Sequence, residues 1–323
     1  MHILVTGGSG FIGSHLVNEL LRKGHRVTVV DDLSTGRAVN LESVISHPEF
    51  KMVNADLGDP ELVRTYVPTV DAVYHLAAAV GVALIAKQPI QTIHRNIYPT
   101  QLLLEELRRQ LELGRRIPMF LASTSEVYGK NPKSIWNEED DLVFGSTTKP
   151  RWSYGASKAI DEFLALACYR EVELPVVIGR FFNVVGPRQT GAYGMVLPRF
   201  VAAAVEGRPL IVHDDGQQQR CFAHVRDVVG AITKLVETPE SHGRVYNIGS
   251  DQPVTILELA ERVRAIVNPS SPIVYQSYSE AYDQDFEDIR RRVPDLTRIR
   301  KAIGYVPSLG LDEIIRDVFE SMK

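Results

Sequence analysis

Met1-His2-Ile3-Leu4-Val5-Thr6-Gly7-Gly8-Ser9-Gly10-Phe11-Ile12-Gly13-Ser14-His15-Leu16 opens the chain, and its reading decides the fold class. Ile3, Leu4 and Val5 form a short apolar run suited to a buried parallel strand. Gly7, Gly10 and Gly13 follow at three-residue spacing, and Phe11, Ile12, Leu16, Leu20 and Leu21 then trace the inner face of a helix. A flexible turn between strand and helix explains one glycine, but it explains three regularly spaced ones poorly. Glycines here let the backbone turn sharply and approach a pyrophosphate seated on the positive end of a helix. Gly7, Gly10, Phe11, Ile12 and Gly13 are therefore the expected cradle. Arg26-Val27-Thr28-Val29-Val30 reads as a second strand and ends in Asp31-Asp32. A carboxylate at that strand end suits a ribose 2′-hydroxyl and repels a 2′-phosphate. Asp31 is placed at the ribose, and Asp32 is left open between that role and the start of a loop. Arg37 tempers the preference against a 2′-phosphate.

A second constellation lies in Trp152-Ser153-Tyr154-Gly155-Ala156-Ser157-Lys158. Tyr154 and Lys158 are four apart, so on a helix they share one face. An ammonium near a phenol, whose pKa is ordinarily about 10, favours the phenolate and makes the tyrosine a base near neutral pH. A bound nicotinamide cation pushes the same way. Alone the spacing is weak, since a half-buried ring beside a solvated amine is common. Joined to the N-terminal turn, it reads as catalytic.

Length and composition set the limits. The 323 residues can bury a large core as one big domain or two lobes. With 44% hydrophobic and 24% charged residues and a formal net charge of −4, nothing suggests a basic nucleic-acid footprint. Cys168 and Cys221, the two cysteines, lack metal-ligand spacing, so neither a disulfide framework nor a metal site is expected. No apolar stretch approaches the roughly 20 residues that span a bilayer. The chain starts directly on a strand, so a cytoplasmic enzyme is the simplest expectation.

Strand and helix patterns alternate through the first half. Lys51–Asn54, Asp71–Ala78, Met119–Ala122 and Pro175–Arg180 read as strands, with long helices over about Ile90–Leu113 and from Ser153 toward Tyr169. Such alternation predicts an α/β fold, a doubly wound parallel sheet of the Rossmann type. Residues 1–180 are the expected dinucleotide-binding domain. Residues 181–323 form a smaller, interleaved substrate-binding lobe, where short helices such as Ile256–Val267 alternate with isolated strands such as Val245–Ile248. Arg290-Arg291-Arg292 is either a solvated helix end or a phosphate or carboxylate site. The polar stretch with Tyr278, Tyr282 and Phe286 is either a loop over the cleft or a surface helix.

The N-terminal turn, Asp31, Tyr74-His75-Leu76-Ala77-Ala78, Ser123-Thr124-Ser125-Glu126-Val127-Tyr128-Gly129 and Tyr154-x-x-x-Lys158 occur in one order. Arg180-Phe181-Phe182-Asn183, Gly186-Pro187-Arg188 and Arg220-Cys221-Phe222-Ala223-His224-Val225-Arg226-Asp227 continue it. Together, over essentially the whole chain, they resemble an extended short-chain dehydrogenase/reductase acting on nucleotide sugars. The resemblance implies NAD, retained through the cycle, a UDP-sugar substrate and a homodimer paired through the two long helices. Leu102, Leu103, Leu107, Phe163 and Leu166 are the apolar stripe expected at that interface. It implies that Asp56 and Leu57 meet the adenine and that Leu76, Ala77 and Ala78 wall the nicotinamide. Thr124 takes the position that bonds the sugar O4, and Asn96 supplies a structural or catalytic amide. Asn183, Arg188 and Arg220 fall on the nucleotide-diphosphate side.

The fate of the 4-keto sugar turns on Ser125 and Glu126. Dehydratases that eliminate across C5–C6 generally show Asp-Glu there, and Ser125 leaves the proton donor missing. Simple 4-epimerases generally lack the glutamate. Thr124-Ser125-Glu126, with Pro150-Arg151-Trp152 and Arg292-Val293-Pro294-Asp295-Leu296, looks most like UDP-glucuronate decarboxylases, where Arg292 would lie near the substrate carboxylate or phosphates. Two departures keep a 4-epimerase as the alternative: Ala77-Ala78-Ala79-Val80-Gly81-Val82 is not the serine- and proline-rich version of this segment, and Val293 replaces the lysine usual there. A non-catalytic dinucleotide-binding sensor or scaffold ranks low because Thr124, Tyr154 and Lys158 are all kept. The base, the sugar epimer and the reduction of the intermediate before release stay open.

Overall fold

The computed structural model describes residues 1–79, 89–191, 195–277 and 289–323. Six strands of the first half are β1 (His2–Thr6), β2 (Arg26–Asp31), β3 (Phe50–Asn54), β4 (Ala72–His75), β5 (Met119–Thr124) and β6 (Val176–Phe181). They form one sheet with the strand Arg244–Ile248, in the order Arg244–Ile248, β6, β5, β4, β1, β2, β3. Every pairing in it is parallel. Chain order reverses between β1 and β4, and in such sheets ligands enter the crevice beyond the carboxyl ends of the strands at that point.

Four helices of the first half are α1 (Phe11–Arg22), α2 (Pro60–Tyr66), α3 (Pro89–Glu112) and α4 (Trp152–Val172). Leu16, Val17 and Leu20 of α1 pack on one face of the sheet with Val228, Val229 and Ile232 from the helix Val225–Glu237. Leu103, Leu104 and Leu107 of α3 and Ala165 and Cys168 of α4 pack on the other face. Two expectations change here. Leu103 and Leu107 are 0% and 1% exposed and belong to the core, because their turns of α3 face the sheet. Phe163 stays 65% exposed, with Ile93 and Ile160 also open. The strand at Val245–Ile248, expected as isolated, is an edge strand of the main sheet. The helix Val225–Glu237 returns the chain beside β6, a long crossover that local patterning does not reveal.

Of the later helices, Val196–Val205, Ile256–Val267 and Leu311–Glu320 share a separate core around Phe200, Val212, Leu259 and Ile315, whereas Thr297–Ile303 packs with α1 and Val225–Glu237 through Ile299 and Ile303. Val80, Gly81 and Val82, and the stretch with Tyr278, Tyr282 and Phe286, lie outside the described residues. Among the described residues no helix is long and apolar enough to cross a membrane.

Candidate active site

The glycine turn is built by close approach. Gly7 has φ +69°, and a Cβ there would lie 2.7 Å from the Ala77 backbone nitrogen. A Cβ on Gly13 would fall 2.1 Å from the Gly7 carbonyl oxygen, so α1 can start this close to β1 only with glycine there. Gly10 caps α1 without any side-chain hydrogen bond. The first-turn N–H groups therefore have no side-chain cap at a helix end that attracts anions, which fits the diphosphate of a dinucleotide. Asp31 fastens this turn to β2: its Oδ2 accepts the Ser9 N–H at 2.9 Å and its Oδ1 the Leu33 N–H at 2.9 Å. Burial pushes the Asp31 carboxyl up, and these two backbone donors pull against it. Asp32 is turned toward Arg95, 3.6 Å away. Asp56 accepts the Gly58 N–H in an exposed turn, while the Leu57 side chain is part of the core.

Behind the turn runs a buried polar chain. Thr6 Oγ1 lies 2.7 Å from His75 Nδ1 and accepts the Ala77 N–H at 3.3 Å. His75 Nε2 lies 3.1 Å from Thr100 Oγ1. Asn96, 1% exposed, accepts the Ala79 N–H at 2.8 Å and donates to Ser157 Oγ at 3.1 Å. Its amide thus ties the Leu76–Ala79 segment to α4. Lys158 donates to Asp161 Oδ2 at 2.9 Å, with both side chains almost wholly buried. Asp161 and its partner Thr100 are absent from the sequence reading, although Asp161 stands one turn after Lys158 on the same helix.

On the other side of the cleft the chain turns after β5. Thr124 caps the turn Ser125–Tyr128, and its hydroxyl is hydrogen-bonded to Tyr154 and accepts the Glu126 N–H at 3.2 Å. Gly155 lets α4 press against this turn, since a Cβ there would be 2.5 Å from the Glu126 carbonyl oxygen. Glu126 Oε1 pairs with Arg292 Nη1 at 2.5 Å, and Oε2 with Arg151 Nη2 at 3.6 Å. Burial opposes ionisation of Glu126, but Arg292 and Arg151 outweigh it and hold the carboxyl below its usual range. Arg151, read in the sequence only as part of a motif, lies over the Trp152 ring at 5.2 Å. Arg292 is brought here by a two-residue strand, Arg291–Arg292, paired in register with Gln219–Arg220, so Arg220 stands beside it. Of the basic run, Arg290 turns away to Asp215.

Tyr154 does not have the environment expected from spacing alone. Burial pushes its phenol well above the ordinary value and the Glu126 charge adds to this, while the Thr124 hydrogen bond pulls the other way. Lys158 spends its charge on Asp161. These surroundings therefore favour the phenol. Asn183 and Arg188 have other partners. The Asn183 amide donates to the Cys221 carbonyl at 3.1 Å, and Arg188, with φ +70°, lies against Asn18 of α1 and lines a cleft of about 470 Å³ with Arg37 and Arg199.

A parallel sheet with a glycine turn at its switch point, and a Tyr-x-x-x-Lys helix facing a Thr-Ser-Glu turn, define an extended short-chain dehydrogenase/reductase. Within that class the chain belongs to the family described as GDP-mannose 4,6 dehydratase, whose model matches residues 4–318. A UDP-N-acetyl-alpha-D-glucosaminuronate decarboxylase of Bacillus cytotoxicus is 36% identical over 98% of this chain and 96% of its own. UDP-glucuronic acid decarboxylase 1 of Arabidopsis thaliana is 33% identical over 97% of this chain and 68% of its own. Among solved structures, UDP-glucuronic acid 4-epimerase from Bacillus cereus, in complex with UDP-glucuronic acid and NAD, superposes with a TM-score of 0.87. It is 27% identical, covering 100% of this chain and 99% of that one.

Proposed function

We propose that this protein is an NAD-dependent decarboxylase of a UDP-linked uronate, UDP-glucuronate or its 2-acetamido counterpart. The observation that carries this reading is Glu126, held ionised between Arg292 and Arg151 next to Tyr154. The decarboxylase relatives support it. NAD supplies the acceptor and later the donor of the C4 hydride. Gly7, Gly10 and Gly13 and the first turn of α1 hold its diphosphate, Asp31 its adenosine ribose, and Lys158 and the Leu76–Ala78 backbone its nicotinamide end. Tyr154 removes the proton of the C4 hydroxyl as that carbon is oxidised, with Thr124 aligning the oxygen. The resulting 4-ketone makes the C6 carboxylate a β-keto acid. Its C5–C6 bond breaks, carbon dioxide leaves, and the electron pair passes into the C4 enolate, which is then protonated at C5. Guanidinium groups hold carboxylates and diphosphates well, so Arg292 would bind substrate while the ionised Glu126 repels the departing carboxylate and C5 takes its proton from solvent.

Uronate labelled at C6 tests the reading. Labelled carbon dioxide should be released from UDP-glucuronate or UDP-N-acetylglucosaminuronate, and Tyr154→Phe should lower the rate by roughly 10²–10⁴-fold. No release, together with interconversion of the C4 epimers, would overturn the decarboxylase and leave a 4-epimerase, the activity named for the Bacillus cereus neighbour.

The exposed apolar face of α3 and α4, with Ile93, Ile160 and Phe163, supports a homodimer paired through these helices. Light scattering should give a dimeric mass that falls to a monomer's in Phe163→Glu. A monomeric parent protein would refute it.

A further inference from the structure

Lys158 and Asp161 form an ion pair whose side chains are 2% and 0% exposed. Removing two charges from water is costly, and their attraction often only offsets that loss. Stability is thus a weak reason for such a pair beside a reacting centre, and its connections supply a better one. The Asp161 carboxylate also has Thr100 as a hydrogen-bond partner, and the Thr100 hydroxyl donates as well to the Asn96 carbonyl, at 3.0 Å, so its one hydrogen is shared between two acceptors. Thr100 is met by His75 Nε2, and His75 Nδ1 by Thr6, which accepts the Ala77 N–H. Burial, with the Lys158 charge adding to it, lowers His75 to about 3, so its ring is neutral and can donate from Nε2 while accepting at Nδ1. Ala77 N–H, Thr6, His75, Thr100, Asp161 and Lys158 then form one chain. Its five side chains are all buried.

We infer that Asp161 is the positioning residue of the Tyr154–Lys158 pair, fixing the Lys158 ammonium in register with the backbone at Ala77. The inference rests on the reading in which Tyr154 and Lys158 act at the C4 hydroxyl and the nicotinamide end of the cofactor. Among the described residues the surrounding charges are few. Asp161 and Glu162 come from α4, with Glu162 engaged by Arg180; β4 contributes His75; the turn after β5 contributes Glu126, with Arg292 and Arg151 behind it. The Asp161 charge itself opposes the Tyr154 phenolate. A bystander carboxylate would therefore, on removal, ease ionisation of Tyr154. A positioning carboxylate would have the opposite effect, because a buried ammonium without its counter-charge is held poorly in both place and charge.

Asp161→Asn keeps the shape and deletes the charge. In a single turnover, reduction of NAD by the nucleotide sugar should show its acid limb moved to higher pH by about one unit, hence about tenfold slower on that limb. The KM for the nucleotide sugar should be unchanged, and the substitution should add little to the loss already caused by Lys158→Met. An acid limb that coincides with the parent's, or moves to lower pH, would overturn the inference. A second readout needs no turnover: calorimetric affinity for NAD should fall several-fold in Asp161→Asn, and equal affinity would overturn the proposal even if no sugar is turned over. A parent protein that binds NAD but never reduces it would count against the wider reading instead. Should Asp161→Asn fail to fold, Thr100→Val should shift both readouts in the same direction by less. Values equal to the parent's would overturn the proposal there too.

Discussion

The two walls of the cleft are made differently. On the β1–β2 side the site is backbone: a left-handed Gly7, an uncapped helix start at Gly10 and a Gly13 with no room for a Cβ, pinned by Asp31 through two N–H groups. On the β5–α4 side it is side chain: Thr124, Glu126, Tyr154, Arg151 and Arg292 meet from three separate stretches of chain. A wall of backbone can be altered only by disturbing the turn, and it serves what all members of the class share. A wall of side chains can be re-tuned one residue at a time, which is where relatives that decarboxylate and relatives that epimerise have room to diverge.

The larger expected effect lies on the side-chain wall. Glu126→Gln removes the charge between the two guanidinium groups. The substrate carboxylate should then be held more tightly, lowering KM, while carbon dioxide release falls about 10²-fold or more. Oxidation at C4 should survive. Because the Glu126 charge helps push the Tyr154 phenol up, its loss should move the acid limb of NAD reduction to lower pH, opposite in sign to Asp161→Asn. Oxidised 4-keto sugar and reduced cofactor should accumulate, visible as nicotinamide absorbance. Equal loss of oxidation and decarboxylation would mean that the two walls do not divide the chemistry in this way.

How much of this was legible in the sequence follows the same division. The turn from Gly7 to Gly13 and the strand ending at Asp31 are local, so spacing alone places them. The pairing of Glu126 with Arg292 is not local: the order of motifs placed both residues at the substrate, and only the fold joins them to each other. The second guanidinium, Arg151, lay in a quoted motif and was given no partner, because no periodicity shows which way a residue at a helix start turns. Asp161 carried a local signal, an acid one turn after Lys158, but its burial depends on Thr100 of α3. The same limit made Leu103 and Leu107 look like an interface. Apolar stripes on a long helix show that something covers them, and the tertiary fold decides whether that is the chain's own sheet or a second subunit.

The smaller expected effect lies on the backbone wall and can be divided further. Each carboxylate oxygen accepts about two hydrogen bonds, and Asp31 already takes the Ser9 and Leu33 N–H groups and the Ser9 side chain. Capacity therefore remains for a ribose hydroxyl, while the turn already depends on the same group. Asp31→Ala loses both roles and should weaken NAD by about tenfold or more, since one hydrogen bond to a charged group is worth roughly 1.5–3 kcal/mol. Asp31→Asn keeps a single acceptor oxygen and removes the charge that repels a 2′-phosphate. It should weaken NAD less and narrow the preference over NADP more, with Arg37 on the next loop available to an added phosphate. Calorimetry with both dinucleotides reads the two effects separately. If Asp31→Asn left the NAD-to-NADP ratio unchanged, Asp31 would be only the fastener of the glycine turn, and this wall would select its cofactor by shape alone.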